Sequence, residues 1–383
     1  MQNPFEYGRE LAPGELIDRD AELQEVHETL TRGGKLFLIG PRRFGKTSIH
    51  NVAAHRARQD GAVVLRYNVE AFPQVHHLIA ALVADMARTM SGPVERVAQS
   101  VNRLFQRLRP TVTYNPLDQT WNASIGIEPQ ADKLPQLVEA LNALEAAAAE
   151  SARPVGLILD EVQHLLIPGG PAGEGQLRAA VQQHRHVGYV FAGSDTRFLT
   201  SMTTDAARPF YRLGQIRVLG PVPRDHFLDF LTASFARLPI IVEAGALEAI
   251  LDAAEDVPYN VQQLAGYIWA AIATEEHPST LTRERVAELR DELAARLDPL
   301  YSAVWVALTT TQQRALQAVV YETGVGIYRG EVLRRHDLTA SSMKKAVDAL
   351  LDRNVVRREA RAGVDRLRLE DPLFGSWIRT ATH

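Results

Sequence analysis

No cysteine occurs among the 383 residues, which excludes disulfides, zinc ribbons and thiol catalysis and fits a reducing compartment. Long apolar runs are missing too. No stretch approaches the ~18 apolar residues that a membrane-spanning helix needs, and Met1 to Glu6 offer neither a basic start nor an apolar segment. Neither secretion nor membrane insertion is expected, and the expected location is cytoplasmic. The sequence shows no internal repeat, no dinucleotide-binding glycine pattern and no Ser/His/Asp order that stands out. Its 12 histidines include the pairs His76/His77 and His184/His186, neither of which belongs to a recognised metal-ligand set. What remains is a chain with 46% hydrophobic residues, enough to bury a core in each of two or three domains.

The most informative segment reads Gly40-Pro41-Arg42-Arg43-Phe44-Gly45-Lys46-Thr47, which satisfies the phosphate-loop pattern G-x-x-x-x-G-K-[ST] at every fixed position. An apolar run at 35–39 precedes it, and a helical pattern at 46–59 follows, with Ile49, Val52 and Ala53 facing inward. That context matters because successive backbone N–H groups and a helix N-terminus together form an anion cradle. Gly40 and Gly45 are expected to adopt dihedrals that side chains forbid, while the N–H groups from Arg43 to Thr47, with Ser48 beyond, point at the β-phosphate. Lys46 would place its charge between the β- and γ-phosphates, and Thr47 would bind Mg²⁺.

A second motif follows at 154–161, where Pro-Val-Gly-Leu-Ile-Leu ends in Asp160-Glu161. Such a run suits a strand buried on both faces of a parallel sheet, whose carboxyl end lies where open α/β sheets place their ligands. Asp160 would hold Mg²⁺ directly or through water, and Glu161 would orient or deprotonate the attacking water. The pair also suits the start of a helix, as an N-cap. Another apolar run, 188–193, ends in Ser194. That serine is a candidate for contacting the γ-phosphate or the water, and equally for capping the next helix.

The regular alternation of strand and helix patterns predicts an α/β fold with a parallel sheet. Asp18 is expected to cap a first helix over 19–32, and further strands are expected at 62–69 and 215–219. Helices are expected at 73–89, 94–108 and 133–151. Period-two alternation through Val112, Tyr114, Trp121, Ala123, Ile125 and Ile127 reads as a β-hairpin inserted at about 110–129. A Gly/Pro-rich loop at 168–175 should lead into a helix over 176–184.

Several features, taken in order, resemble the archaeal-type ATPase family, a branch of the AAA+ and STAND nucleotide switches close to replication-initiator ATPases. They are Asn3-Pro-Phe-Glu-Tyr-Gly8, the segment from Asp18 to Leu23, the phosphate loop, the Asp160-Glu161 strand, the Gly193-Ser194 strand end and Asp371-Pro-Leu-Phe-Gly-Ser-Trp377. The resemblance covers nearly the whole chain. It implies an AAA+-like P-loop core with helices on both faces of its sheet, ATP and Mg²⁺ as cofactors, and ATP hydrolysis. It also implies that Ile17 and Arg19 lie near the adenine, that Asn68 restrains Glu161, and that Arg212 or Arg208 is an arginine finger toward a neighbouring subunit. The helix beginning at Pro258-Tyr259 lacks the sensing arginine of many AAA+ proteins and resembles the STAND version, which favours a slow switch.

Helical patterns at 224–237, 244–254, 258–275 and 283–296 suggest a lid, so the expected domains are a core over 1–222, a lid over 223–298 and a terminal domain over 299–383. Helices at 310–321, 329–335 and 341–353, then β-like runs at 355–358 and 366–369, describe a winged helix-turn-helix. Thr339 should cap the third helix. Met343, Val347 and Leu350 should face inward, leaving Ser341, Ser342, Lys344 and Lys345, with wing residues Arg357, Arg358, Arg361 and Arg366, as a nucleic-acid face. From Tyr301 onward thirteen Lys/Arg stand against nine Asp/Glu, a net +4, so the remaining residues carry −8. The expected function is an ATP-dependent switch that closes its lid on nucleotide and turns its winged helix toward double-stranded DNA. The alternative is a signalling or defence adaptor acting through self-assembly or a protein partner.

Overall fold

The computed structural model describes residues 2–12, 14–90, 93–125, 134–275, 279–361 and 364–381. The chain divides into two compact units, one comprising Glu10–Pro41 and Lys46–Gly220, the other Met1–Arg9, Arg42–Gly45 and Pro221–His383.

The first unit holds, in order, α1 (Asp20–Arg32), β1 (Lys35–Ile39), α2 (Lys46–Gln59), β2 (Val63–Asn68), α3 (Val75–Thr89), α4 (Val94–Leu104), β3 (Pro110–Asn115) and β4 (Thr120–Ile125). There follow α5 (Leu134–Glu150), β5 (Val155–Asp160), α6 (Gln163–Gln183), β6 (Val187–Gly193), α7 (Thr196–Thr204) and β7 (Gln215–Val218). Five strands form one sheet in the order β2-β5-β6-β1-β7, every pair parallel. Strands β5 and β6 are buried at every residue, which explains their unbroken apolar sequences. Alternate residues serve opposite faces. Phe37, Leu157, Tyr189 and Phe191 join the core that includes Leu82 and Leu141, from α3 and α5. On the other face, Thr29 and Leu30 of α1 lie directly against Gly156 and Gly188.

The sequence reading differs from the structure at several boundaries. Asp18 does not cap α1; it has φ 45°, and the helix starts at Asp20 with no side-chain cap. The expected loop at 168–175 lies inside α6, which is broken at Gly170 (φ 56°, ψ −166°) between Pro168 and Pro171. A proline lacks the N–H needed inside a helix yet suits a first turn, so the chain stops and restarts helically there. Strands β3 and β4 form the expected antiparallel hairpin, with Tyr114 opposite Trp121, apart from the five-stranded sheet. Ile127 and the rest of the hairpin's expected end, 126–129, lie outside the described residues.

In the second unit, α8 (Arg224–Phe235), β8 (Ile241–Val242), α9 (Ala246–Ala253), α10 (Pro258–Ala273), β9 (Thr280–Leu281) and α11 (Arg283–Arg296) come first. They are followed by α12 (Asp298–Val306), α13 (Thr310–Tyr321), α14 (Gly330–Arg335), α15 (Ala340–Asp352), the antiparallel pair β10 (Val356–Arg361) and β11 (Val364–Leu369), and α16 (Pro372–Ala381). Met343, Val347 and Leu350 are buried, and Thr339 caps α15 in a reciprocal box with Ser342. Helices α12 and α16 were not expected. They meet through Tyr301, Phe374 and Trp377, with the Tyr301 and Phe374 rings stacked at 5.0 Å. The N-terminal motif belongs to this unit as well: Phe5 is buried against Phe230 and Phe235, and Asn3 donates to the Gly266 carbonyl at 2.9 Å.

Candidate nucleotide-binding site

Strand β1 delivers the chain to Gly40, whose N–H donates to the Gly193 carbonyl of neighbouring β6 at 3.3 Å. Gly40 is required for a reason other than its expected dihedral. A Cβ there would stand 2.8 Å from the Leu219 Cβ, so no side chain fits. Gly45 does have a positive φ, 88°, and so does Arg43, at 68°. Helix α2 opens at Lys46, which is buried and donates from Nζ to the Gly40 and Pro41 carbonyls at 2.8 and 3.0 Å. The ammonium is therefore held at the start of the loop. Ser48 is buried and its hydroxyl accepts from the Leu11 N–H at 3.4 Å.

Because β6 lies between β1 and β5, three strand ends converge on this loop. The Thr47 hydroxyl donates to Asp160 Oδ2 at 3.0 Å. Buried His50, one helical turn along α2, places Nε2 2.9 Å from the same oxygen. Burial alone would raise the Asp160 pKa, but the hydrogen bond and charge of His50, with Lys46 and Thr47, bring it down to about 2. Asp160 is thus a carboxylate at neutral pH. Among the described residues no cluster of three or more His, Asp or Glu side chains is arranged to hold a metal. Thr47 and Asp160 do fit Mg²⁺, which takes few protein oxygens and fills its shell with phosphate and water.

Glu161 sits beyond the strand end with φ 53°, a left-handed conformation unusual for a residue bearing a Cβ. Its Oε2 accepts from both the Ser194 N–H at 3.0 Å and the Ser194 hydroxyl at 2.7 Å, as well as from the Gln163 amide. Ser194 does not cap α7; the following Asp195 does, accepting from the Phe198 N–H. The expected partner of Glu161 was Asn68. That expectation fails: Asn68 accepts from the Glu70 N–H, and Ser194 with Gln163 takes its place. The register explains the difference, since Asn68 lies level with Asp160 and one residue short of Glu161.

Other candidates fall in varied settings. Arg19 is buried, donates to the Gly220 carbonyl at 2.7 Å and pairs with Glu22, while Ile17 just before it is half-buried. Arg208 is locked to buried Glu174 and lies over the Phe198 ring, whereas Arg212 is exposed and lies over the Tyr211 ring. Arg42 is exposed; Arg43 meets Tyr259, which follows Pro258 at the start of α10, through its carbonyl and its guanidinium, and Phe44 is buried in the same unit. On the winged helix, Ser341, Lys344, Lys345 and Arg358 are exposed, while the Ser342 hydroxyl is committed to the Thr339 cap. Arg357 departs from the expected outer face. It is buried, donates to the Leu369 carbonyl and covers the Phe44 ring, on the face of β10 opposite to that of buried Val356. The Arg361 side chain lies outside the described residues. His50 and Gln163 escaped the sequence reading. The one signal for His50 was its spacing of one turn from Lys46 and Thr47, which puts it on the same helical face.

Residues 299–380 match a family model described as a probable winged helix domain. A Walker-type ATPase of Pyrococcus abyssi superposes with a TM-score of 0.61 at 15% identity, covering 98% of this chain and 99% of that one. The chain has the fold of a Walker-type ATPase that ends in a winged helix. The Aeropyrum pernix ORC2 protein, in ADPNP–ADP complexes, gives a TM-score of 0.54 at 15% identity and covers 100% of this chain and 98% of its own. At such identities the likeness concerns the fold. No curated protein matches the sequence. In this Walker-type fold, the phosphate loop and the Asp160-Glu161 strand end occupy the position where open α/β sheets collect ligands. No described helix is long and apolar enough to cross a membrane.

Proposed function

We propose that the chain is an ATP-binding, slowly hydrolysing switch that couples its nucleotide state to the winged helix. The observation that carries this reading is the convergence of Lys46, the Thr47–Asp160 pair at 3.0 Å and the Glu161–Ser194 pair at 2.7 Å on adjoining strand ends. Each group has a part in phosphoryl transfer. Loop N–H groups and Lys46 bind the phosphates, and Glu161 takes the proton of the attacking water. Mg²⁺, when bound by Thr47 and Asp160, supplies neutralisation of phosphate charge. Ser194 holds Glu161 until the γ-phosphate competes for its hydroxyl. Ile17 and Arg19 flank the adenine, and Arg212 serves as the finger toward a second copy. The domain division at 1–222, 223–298 and 299–383 and a cytoplasmic setting belong to the same reading. The ORC2 structure with ADPNP and ADP supports nucleotide binding by analogy of fold.

Calorimetric titration of ATP into the full chain is the direct test. Binding that needs Lys46, lost in Lys46→Ala, supports the site; unaltered affinity in that variant rejects it. Duplex DNA is the proposed partner of the exposed Ser341, Lys344, Lys345 and Arg358 face. Binding should weaken with rising salt and drop in Lys344→Ala/Lys345→Ala. Failure to bind at low salt, with or without a non-hydrolysable ATP analogue, replaces DNA by a protein partner and makes the chain an adaptor.

A further inference from the structure

The Asp371-Pro-Leu-Phe motif at the end of the winged helix has no part in the function described so far. Its first residue is a hub. Asp371 Oδ1 accepts from the Asn260 amide at 2.8 Å and from the Leu373 N–H at 3.2 Å, the latter serving the start of α16. Its Oδ2 accepts from the Tyr301 hydroxyl at 3.0 Å and faces Arg43 Nη1 at 2.7 Å. Arg43 belongs to the phosphate loop, so a winged-helix carboxylate grips that loop directly.

The grip falls on the residue that most needs it. Arg43 has φ 68°, a conformation that costs a residue with a Cβ energy unless surrounding contacts hold it. Those contacts are present on both sides of its backbone. The Arg43 carbonyl accepts from the Tyr259 N–H at 3.3 Å, and its guanidinium lies 5.0 Å from the centre of the Tyr259 ring. The next residue is anchored too, since the Phe44 ring lies under the Arg357 guanidinium at 5.5 Å. Burial disfavours charge on Arg43, yet Asp371 outweighs it and raises the pKa. A cavity of about 430 Å³, lined in part by Arg42, Arg43, Tyr301 and Asp371, borders the pair and leaves the guanidinium room to move away.

We propose that Asp371 is a positioning residue for the phosphate loop: through Arg43 it fixes the loop's left-handed turn, so the winged helix sets how tightly phosphates are held. Coupling then runs both ways. A nucleotide that reshapes the loop loosens Arg43 from Asp371 and releases α16 from that restraint, and a partner that moves the winged helix loosens the loop and frees ADP. This rests on the nucleotide-binding reading above.

The test uses the full chain loaded with a fluorescent ADP analogue and chased with unlabelled ADP. Release should accelerate about tenfold in Arg43→Gln and in Asp371→Asn, as expected for losing one partly buried ion pair, and the double variant should release no faster than the faster single one. Adding ADP should change amide exchange over residues 372–381 in the parent protein and leave it unchanged in either single variant. Arg43→Gln decides the matter if Asp371→Asn misfolds, because it leaves the Asp371 contacts to Asn260, Tyr301 and Leu373 in place. Release within twofold of the parent, or effects that multiply in the double variant, overturns the inference while nucleotide binding stands. If the parent chain does not bind the analogue at all, the nucleotide reading fails, and this inference with it.

Discussion

Two arginines compete for the finger role, and their surroundings separate them. Arg208 is bound to Glu174, whose side chain is 1% exposed, with Nε at 3.3 Å from Oε2. Its guanidinium also lies 4.6 Å from the centre of the Phe198 ring. Arg208→Ala removes the cation and leaves a carboxylate buried without its counter-charge, a change worth about 3–5 kcal/mol. For a unit of this size each kcal/mol moves Tm by about 2–4 °C, so a fall of roughly 6–20 °C is expected. Arg212 is exposed, and Arg212→Ala should stay within about 0.5 kcal/mol of the parent. Urea unfolding followed by circular dichroism measures both variants, with ATP turnover assayed on the same preparations. Arg208→Ala/Glu174→Leu should recover most of the loss, since it removes the stranded charge as well. An Arg208→Ala protein of parental stability but without turnover would refute the reasoning and make Arg208 the finger.

Glu161→Gln should bind ATP with parental affinity and hydrolyse none of it; unchanged hydrolysis would remove Glu161 from its role. His50→Leu takes away the group lying 2.9 Å from Asp160, and the Mg²⁺ concentration giving half-maximal turnover should rise about tenfold or more. A parental Mg²⁺ requirement would make His50 a filler of the core. His184 is held by Tyr189 and Asn142, and burial lowers its pKa from 6.5, so the unfolded chain takes up this proton more readily than the folded one. Stability is then lost as pH falls through 6.5. His184→Gln should lack that portion of the decline; an identical pH dependence in parent and variant would exclude it.

The phosphate loop and the acidic strand were legible because both are contiguous. A buried parallel strand is a run of apolar residues, and the residue at its end is next in sequence, so Asp160, Glu161 and Ser194 could be named without coordinates. Residues that act across the fold were not. Gln163 reaches Glu161 only because the backbone turns left-handed at Glu161, and no periodic pattern announces such a turn. Asn68 failed by one residue of register, a shift that a strand's sequence does not encode. Arg357 failed because the face of β10 that it shares with Arg368, opposite to that of Val356, is covered by Phe44, and no local pattern announces a contact so distant in sequence. The helices were clear where apolar spacing was regular. Helix α6 was shortened in the reading because Pro168, Gly170 and Pro171 look like a loop when in fact they kink a helix.

The two left-handed residues Arg43 and Glu161 have a common logic. Each stands in a motif expected to handle phosphate, each costs about 1–3 kcal/mol of backbone strain, and each is held by partners distant in sequence. For Glu161 the holder is Ser194 with Gln163; for Arg43 it is Asp371 with Tyr259. A strained residue held by hydrogen bonds relaxes when a ligand competes for those bonds, so ligand binding is repaid in part by released strain. The holders differ in kind. Ser194 holds Glu161 through a neutral hydroxyl, for which a phosphate oxygen competes as an alternative acceptor, whereas Asp371 binds Arg43 through full charges and yields only to another anion. In the proposed switch, Glu161 answers to the γ-phosphate, while the winged helix answers to the negative charge at the loop. On that proposal ADP and ATP differ at the strand end, where only ATP brings a γ-phosphate to compete for the Ser194 hydroxyl.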